Sequence, residues 1–289
     1  MSQHAARAKL RALQIAAHIP PVIWHPVGWV VCVVVAVTRP RPLRQWELNA
    51  TIATGRAPGF SGRLAAQWSW LRNTVGSLQL GTWSERRIVG AVTIDEQRFD
   101  ELRELAAGRG LVLALPHMGS WDHAGAFACL SGLPVTSVAE KLPAGQFEYF
   151  SRMRARLGMN IHPFDQRGVV GLLADDVRNG RAICLVADRD FGKRGIAVTW
   201  PTPQGGRELT LPAGPMLVAQ QTGAALVPAS CRFEGRRMDV RIGETIDVAP
   251  GRQGLHDAAQ RLAEEFARAV SDKPTDWHMM QRFFPGERA

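Results

Sequence analysis

The sequence predicts an α/β protein in which helices flank a central mixed, mostly parallel sheet, with a helical, membrane-facing N-terminal region. Beyond residue 90, short apolar runs alternate with longer amphipathic stretches, which is typical of a helix-covered sheet. A polar turn around Gly235 joins the last two apolar runs, which predicts an antiparallel hairpin and therefore a mixed sheet. We expect residues 1–90 to form the N-terminal region and residues 91–289 the α/β domain, together as one compact unit.

The N-terminal region contains an apolar stretch at residues 27–37, followed by a basic tract at residues 39–44. Eleven helical residues reach about 17 Å, short of the roughly 30 Å of a bilayer core, and Pro26 opposes a longer helix. Arginine mixed with tryptophan suits the headgroup layer, so we predict a peripheral membrane contact. The alternative is a buried helix or strand with core tryptophans. The six tryptophans concerned are Trp24, Trp29, Trp46, Trp68, Trp70 and Trp83.

The elements of the α/β domain follow from hydrophobic periodicity. Five apolar runs predict strands, at residues 111–115, 134–138, 182–187, 225–231 and 238–242. Five stretches of helical period predict helices, at residues 120–130, 146–157, 169–179, 213–221 and 255–271. Because no repeat or low-complexity linker separates them, one catalytic domain is the simplest division.

Composition and missing motifs narrow the function. The net charge of +9, carried by 31 Arg against four Lys, suits phosphate groups or an anionic membrane surface. Nucleic acid is not expected, because the chain lacks an aromatic and basic binding motif. The four cysteines form no Cys-x-x-Cys pair, which favours a reducing compartment. No Gly-x-Ser-x-Gly, Gly-x-Gly-x-x-Gly or Walker pattern occurs, and His117 and His123 lack further ligands at metal spacing, so neither a cofactor nor a metal is expected.

The most informative residues are His117 and Asp122, five positions apart between a predicted strand and a predicted helix. Pro116 ends the strand, so the histidine lies at the carboxyl end of the sheet, where ligands collect in open α/β folds. An imidazole there with a nearby carboxylate is placed as a general base and its orienting group, which predicts activation of a hydroxyl. The alternative is a structural loop histidine bonded to a helix aspartate.

Two further strand ends carry charged residues. Glu140 follows the second predicted strand, and Arg154 lies fourteen residues later on a helix, where the two could form an ion pair or a phosphate clamp. Arg152 and Arg156, on the same helix, are expected to be solvated. The third predicted strand ends in Asp188-Arg189-Asp190. Since three strand ends then meet at one edge, these groups could orient the base and bind an anionic substrate.

Ordered blocks between residues 110 and 282 resemble a known family, the lysophospholipid-type (HtrB-like) acyltransferases of bacterial lipid A biosynthesis. The likeness is greatest to the actinobacterial phosphatidylinositol mannoside acyltransferases. The blocks are His117-Met-Gly-Ser-Trp-Asp122-His-Ala-Gly125, Val138-Ala-Glu140-Lys141 with Arg154 and Leu157-Gly158-Met159, Ala187-Asp188-Arg189-Asp190, Leu211-Pro-Ala-Gly-Pro215 and Asp276-Trp-His-Met-Met-Gln281.

The resemblance implies a glycerol-3-phosphate-acyltransferase-like fold and transfer of a long acyl chain from acyl-CoA to a mannose hydroxyl of a phosphatidylinositol mannoside. It implies action at the cytoplasmic face of the plasma membrane, as a peripheral protein, without a metal or other cofactor. His117 would be the general base and Asp122 would hold the imidazole tautomer. Glu140 and Arg154 would shape the acceptor or phosphate site, and Arg189 with its flanking aspartates matches the third motif.

The chain departs from the family pattern in one place. A glutamate-bearing strand and Phe-Phe-Gly are expected after the third motif, whereas residues 195–201 carry neither. If that glutamate supports the histidine, this chain must use another carboxylate, such as Asp188 or Asp190, or do without one. Two other functions stay open: the same transfer to another, lipid A-like glycolipid, and a non-catalytic basic protein that binds membranes or nucleic acid.

Overall fold

A computed structural model describes Arg11, Ile15 and residues 17–140, 146–190 and 195–289. Within these ranges, seven strands form one sheet in the order β1-β9-β8-β2-β5-β3-β4, and β6 and β7 form a separate antiparallel hairpin. The strands are β1 Val92–Ile94, β2 Leu111–Leu115, β3 Val135–Ala139, β4 Asn160–Pro163, β5 Ala182–Val186, β6 Ile196–Trp200, β7 Arg207–Leu211, β8 Ala225–Glu234 and β9 Arg237–Ile242.

Ten α-helices flank the sheet or precede it in the described residues. They are α1 Pro21–Thr38, α2 Arg41–Thr54, α3 Phe60–Gln79, α4 Glu85–Gly90, α5 Glu96–Ala107, α6 Trp121–Leu130, α7 Gln146–Arg156, α8 Val169–Arg178, α9 Gly214–Thr222 and α10 Gly251–Asp272. Within the seven-stranded sheet, neighbouring strands are parallel except at the β8–β9 hairpin. The predicted mixed, mostly parallel sheet with flanking helices is therefore confirmed; the division at residue 90 stays a prediction.

The central strand β2 explains why the sheet is covered on both faces. All five of its residues are buried. Val112 and Ala114 belong to the core cluster that also contains α10, whereas Leu111, Leu113 and Leu115 belong to the cluster on the opposite face. Because successive side chains of a strand point to opposite faces, a fully apolar strand requires helices on both sides.

The structure contains four strands that periodicity did not predict. β1 and β4 have three and four residues and lie at the two edges of the sheet. Such short strands give too few residues for an alternating pattern to stand out. In the β6–β7 hairpin, exposed and buried residues alternate, and the pairing of Val198 with Leu209 places both in the core.

Helix α1 is longer and more exposed than the sequence indicated. It runs for 18 residues through Pro26, so the expectation that this proline limits the helix is wrong. Its length is about 27 Å, close to that of a bilayer core. In the described part of the chain it is the one helix long and apolar enough to cross a membrane by length and composition. Only a stripe of small residues is buried, at Gly28, Cys32 and Ala36, and this excludes the alternative of a core helix.

The other two long N-terminal helices pack on the protein rather than projecting from it. Trp46 on α2 is fully buried, together with Leu43 and Ala50, and Met280 from the C-terminal segment packs against this group. The N-terminal tryptophans therefore divide between two environments. Trp46 is a core residue, whereas Trp29 and Trp70 are 47% and 42% exposed.

The turn between β2 and α6 needs a glycine at position 119. Gly119 has a φ of +57°, and a Cβ there would lie 2.5 Å from the carbonyl oxygen of Cys231. The turn carrying His117 therefore lies tightly against β8. Only a residue without a side chain permits both the left-handed backbone and this approach.

We expect Gly119→Ala to lower the free energy of unfolding by at least about 2 kcal/mol more than Gly168→Ala. Both glycines have a positive φ, so each alanine must adopt the unfavourable left-handed backbone conformation. A Cβ at position 168, however, has no neighbouring atom within 4 Å. Urea unfolding followed by circular dichroism measures the difference. Equal losses would show that the turn can move away from β8.

Candidate active site

His117 lies at the carboxyl end of β2 and is held by Asp188, which follows β5. Asp188 Oδ1 contacts His117 Nδ1, and Oδ2 accepts a hydrogen bond of 3.0 Å from the backbone N–H of His117. The His117 side chain is 25% exposed, whereas that of Asp188 is fully buried. The carboxylate therefore fixes the ring from inside the protein and leaves its outer side within reach of a substrate.

Electrostatics keep Asp188 ionised. Burial by itself raises the pKa of this carboxyl, but the charge of His117 and hydrogen bonds from His117 and Trp277 hold the pKa below its ordinary value. A carboxylate at Nδ1 favours the tautomer with the proton on Nδ1, which leaves Nε2 as the basic atom. The pair can accept a proton from a hydroxyl and stabilise the resulting imidazolium.

Asp122 does not orient the imidazole as predicted. Its two oxygens accept hydrogen bonds of 2.9 Å each from Nε and one terminal nitrogen of Arg154. The carboxylate that contacts the His117 ring is that of Asp188, one of the alternatives that the sequence left open. Asp122 lies in the first turn of α6, whereas its partner comes from α7, so the pair joins two helices.

The Asp122–Arg154 pair is largely buried, with 9% and 16% of the side chains exposed. Burial lowers the pKa of Arg154, but the charge of Asp122 outweighs it and the net shift is upward, so the guanidinium stays charged. Arg154 therefore pairs with Asp122, and not with Glu140 as the sequence allowed. Arg152 and Arg156 on the same helix are exposed, as expected.

The other predicted site residues lie around the same edge of the sheet. β5 lies between β2 and β3, so the strand ends before His117, Asp188 and Glu140 are adjacent. Burial lowers the pKa of Arg189, while the charges of Asp188 and Glu140 oppose this shift, so the arginine interacts with both carboxylates. Asp190 accepts a hydrogen bond of 3.2 Å from Thr210 on β7. Lys141, from the second motif, lies outside the described residues.

Sequence reasoning assigned no role to the C-terminal segment, residues 276–281, which lies against the turn at His117. Gly119 donates to the carbonyl of Asp276, and His278 donates to the carbonyl of His117 at 2.8 Å. Trp277 Nε1 donates to Asp188 Oδ2 at 2.9 Å. The sequence offered one signal, since these residues form one of the blocks that resemble the family. Such a block does not show which residues its members contact.

Helices α2 and α3 hold this segment in place. Trp46 and Asn49 donate to the carbonyls of Trp277 and Met279, at 3.0 and 2.9 Å. Ser69 Oγ lies 3.0 Å from His278 Nε2. Burial lowers the pKa of His278 to about 3, so this imidazole is neutral at physiological pH. His123 is a second neutral histidine, bonded to the carbonyl of Ile88 at 2.8 Å, with its pKa lowered by burial.

We expect Arg154→Met to lower the free energy of unfolding by about 3 kcal/mol or more, because it leaves the Asp122 carboxylate buried without its partner. Arg152→Met, two residues away on the exposed face of the helix, is the matched control and should stay within about 0.5 kcal/mol of the wild type. Chemical denaturation of both variants measures the difference. A small loss for Arg154→Met would show that the pair contributes little to stability.

Comparison with known proteins agrees with the resemblance in the motifs. The pattern of the bacterial lipid A biosynthesis acyltransferases matches residues 69–285. Over 180 residues, the chain is 39% identical to a phosphatidylinositol mannoside acyltransferase of Mycolicibacterium smegmatis, covering 61% of this chain and 57% of that protein. It is 38% identical to a protein of the same name from Mycobacterium tuberculosis (strain H37Rv), covering 61% of this chain and 55% of that one.

The match thus spans little more than half the length of these curated relatives. The site residues predicted from the sequence, from His117 to Asp190, lie inside the region that the family pattern covers. Because that region is well over half of the sequence, the chain belongs to the bacterial lipid A biosynthesis acyltransferase family.

Proposed function

We propose that this protein transfers a long-chain acyl group from acyl-CoA to a mannose hydroxyl of a phosphatidylinositol mannoside, with His117 as general base. The observation that carries the proposal is the pair of a partly exposed imidazole and a fully buried carboxylate, His117 and Asp188. It lies within the match to an acyltransferase family. The names of the two mycobacterial relatives support this acceptor.

In the proposed reaction, His117 Nε2 takes the proton of the mannose hydroxyl as its oxygen attacks the thioester carbonyl carbon. The tetrahedral intermediate collapses, the carbon–sulfur bond breaks, and the imidazolium returns its proton to the leaving thiolate. The ester and free CoA are the products, and no acyl-enzyme forms. Asp188 stabilises the imidazolium, and the reaction needs neither a metal nor another cofactor.

The charged residues around the base suit these substrates. Arg189 interacts with Asp188 and Glu140 beside His117, where a cation can meet a phosphate of CoA or of the lipid headgroup. Glu140 is exposed at the neighbouring strand end and can accept hydrogen bonds from sugar hydroxyls. In this proposal Asp122 and Arg154 support the turn and the helix behind it.

We expect labelled palmitate to pass from palmitoyl-CoA to phosphatidylinositol mono- or dimannoside with the wild-type protein. His117→Ala and Asp188→Asn should each lower the rate about a hundredfold or more, because one removes the base and the other its orienting charge. His162→Ala is the matched control: His162 Nε2 lies 2.8 Å from Asp176 in a second His–Asp pair, on edge strand β4, which is three strands away from β2. Thin-layer separation of the lipid products measures transfer.

The outcomes of this assay separate the parts of the proposal. If His117→Ala retained its activity, the assignment of His117 as the general base would be overturned. If the thioester were hydrolysed and no labelled mannoside formed, the proposal of a mannoside acceptor would be overturned. A panel of glucosamine-based, lipid A-like acceptors would then test the same transfer to another glycolipid. No reaction with any acyl-CoA or glycolipid would overturn the enzymatic function itself.

We further propose that the protein works as a peripheral protein at the cytoplasmic face of the plasma membrane, with α1 as its lipid contact. The exposed side of α1 carries six valines, with exposed fractions of 51–78% (Val22, Val27, Val30, Val31, Val34 and Val37). Arg41 and Arg44, directly after it, are exposed and can meet anionic headgroups. A large apolar surface next to exposed arginines is typical of a membrane contact.

We expect the double variant Val30→Asp, Val34→Asp to bind phosphatidylinositol-containing vesicles about tenfold more weakly or worse, because two charges replace apolar contacts with lipid. Val89→Asp replaces a valine that is 36% exposed on another helix and should leave binding unchanged. Vesicle sedimentation at low and high salt measures both. Equal binding by all three proteins would show that α1 does not contact the bilayer.

A further inference from the structure

We propose that Trp277 is a positioning residue for the acyl-transfer site: its indole N–H holds the Asp188 carboxylate in the orientation that aligns His117. The inference rests on the proposed function, in which His117 is the base. It concerns a residue from the C-terminal segment, far in sequence from both members of the catalytic pair.

The hydrogen bonds of Asp188 assign a separate task to each oxygen. Oδ2 accepts from the backbone N–H of His117 at 3.0 Å and from Trp277 Nε1 at 2.9 Å, and Oδ1 is left to meet His117 Nδ1. Two donors on one oxygen set the rotation of the carboxylate. The backbone donor comes from the histidine itself, so Trp277 is the donor that ties the carboxylate to another part of the protein.

Trp277 is rigid enough to act in this way. It is fully buried, and its carbonyl accepts a hydrogen bond of 3.0 Å from Trp46 on α2. Its ring stacks on Trp200 at 6.4 Å between centroids and meets Phe283 edge-on at 4.8 Å. Its backbone pairs with Met118 in the turn itself. The indole therefore has little freedom to follow the carboxylate if the carboxylate rotates.

Trp277 acts on the His117–Asp188 pair differently from the charged groups around it. Arg189 follows Asp188 directly, and its charge interacts with those of Asp188 and Glu140. His278 is neutral, so it supplies no cation to Asp188 from the C-terminal segment. Trp277 is thus a neutral donor to the buried carboxylate, which keeps the carboxylate ionised without competing for the proton on His117.

The structure offers a matched control for removing the indole N–H. Trp200 is also fully buried and stacks on Trp277, but among the described residues its Nε1 has no hydrogen-bond partner. Trp200→Phe and Trp277→Phe therefore remove similar packing from one cluster. Only Trp277→Phe removes a donor from Asp188.

We expect Trp277→Phe to lower kcat roughly ten- to a hundredfold with little change in KM for palmitoyl-CoA or the mannoside, since the base is misaligned while the substrate site is kept. Trp200→Phe should keep kcat within about threefold of the wild type. Far-ultraviolet circular dichroism and melting temperature establish that both variants fold. If Trp277→Phe does not fold, benzothienylalanine in place of Trp277 keeps the shape of the ring and exchanges only the N–H for sulfur.

A spectroscopic readout separates positioning from general stability. The low-field proton resonance of His117 Nδ1–H, assigned by its absence in His117→Ala, should move in Trp277→Phe and in the benzothienylalanine protein but stay in place in Trp200→Phe. An unmoved resonance, or equal kcat in the two phenylalanine variants, would overturn the role of Trp277. A wild-type protein without acyl transfer would overturn the proposed function instead, and the resonance would still report whether Trp277 acts on the pair.

Discussion

The candidate site depends on a carboxylate that is entirely removed from water. An isolated ionised carboxylate in the interior is strongly unfavourable, so Asp188 is stable there only because three donors surround it. Two of the donors belong to His117 and one to Trp277. The turn after β2, the end of β5 and the C-terminal segment must therefore meet at one point, and their meeting determines the orientation of the imidazole.

A second buried carboxylate, that of Asp122, lies close to His117 in the sequence but does not orient its ring. Asp122 belongs to the same short segment as His117, yet both of its oxygens are used by Arg154. This pair joins α6 to α7, whereas the bond from Asp188 orients the ring. The five-residue spacing of His117 and Asp122 thus places the proposed base and a residue that joins two helices at the two ends of one turn, rather than a base and its orienting group.

The N-terminal helices connect the apolar outer surface to the site. Gly28 on α1 packs so tightly on α3 that a Cβ would lie 2.5 Å from Leu71 Cδ2. Helices α2 and α3 in turn hold the C-terminal segment through Trp46, Asn49 and Ser69. A lipid contact at α1 would therefore lie only a few packed side chains from the residues that hold Asp188, which suits an enzyme whose proposed acceptor is itself a lipid.

The sequence by itself determined the mixed sheet, the ten main elements beyond residue 110 and the placing of His117, Glu140 and Asp188 at neighbouring strand ends, because these follow from local periodicity and the geometry of parallel strands. It also determined the family, through ordered motifs. Only the tertiary structure decided which of three aspartates meets His117, that α1 continues through Pro26, and that Trp277 reaches Asp188. Asp188 and Trp277 lie 71 and 160 positions from His117, a distance over which local patterns carry no information. Packing and the requirement to satisfy a buried charge choose those partners.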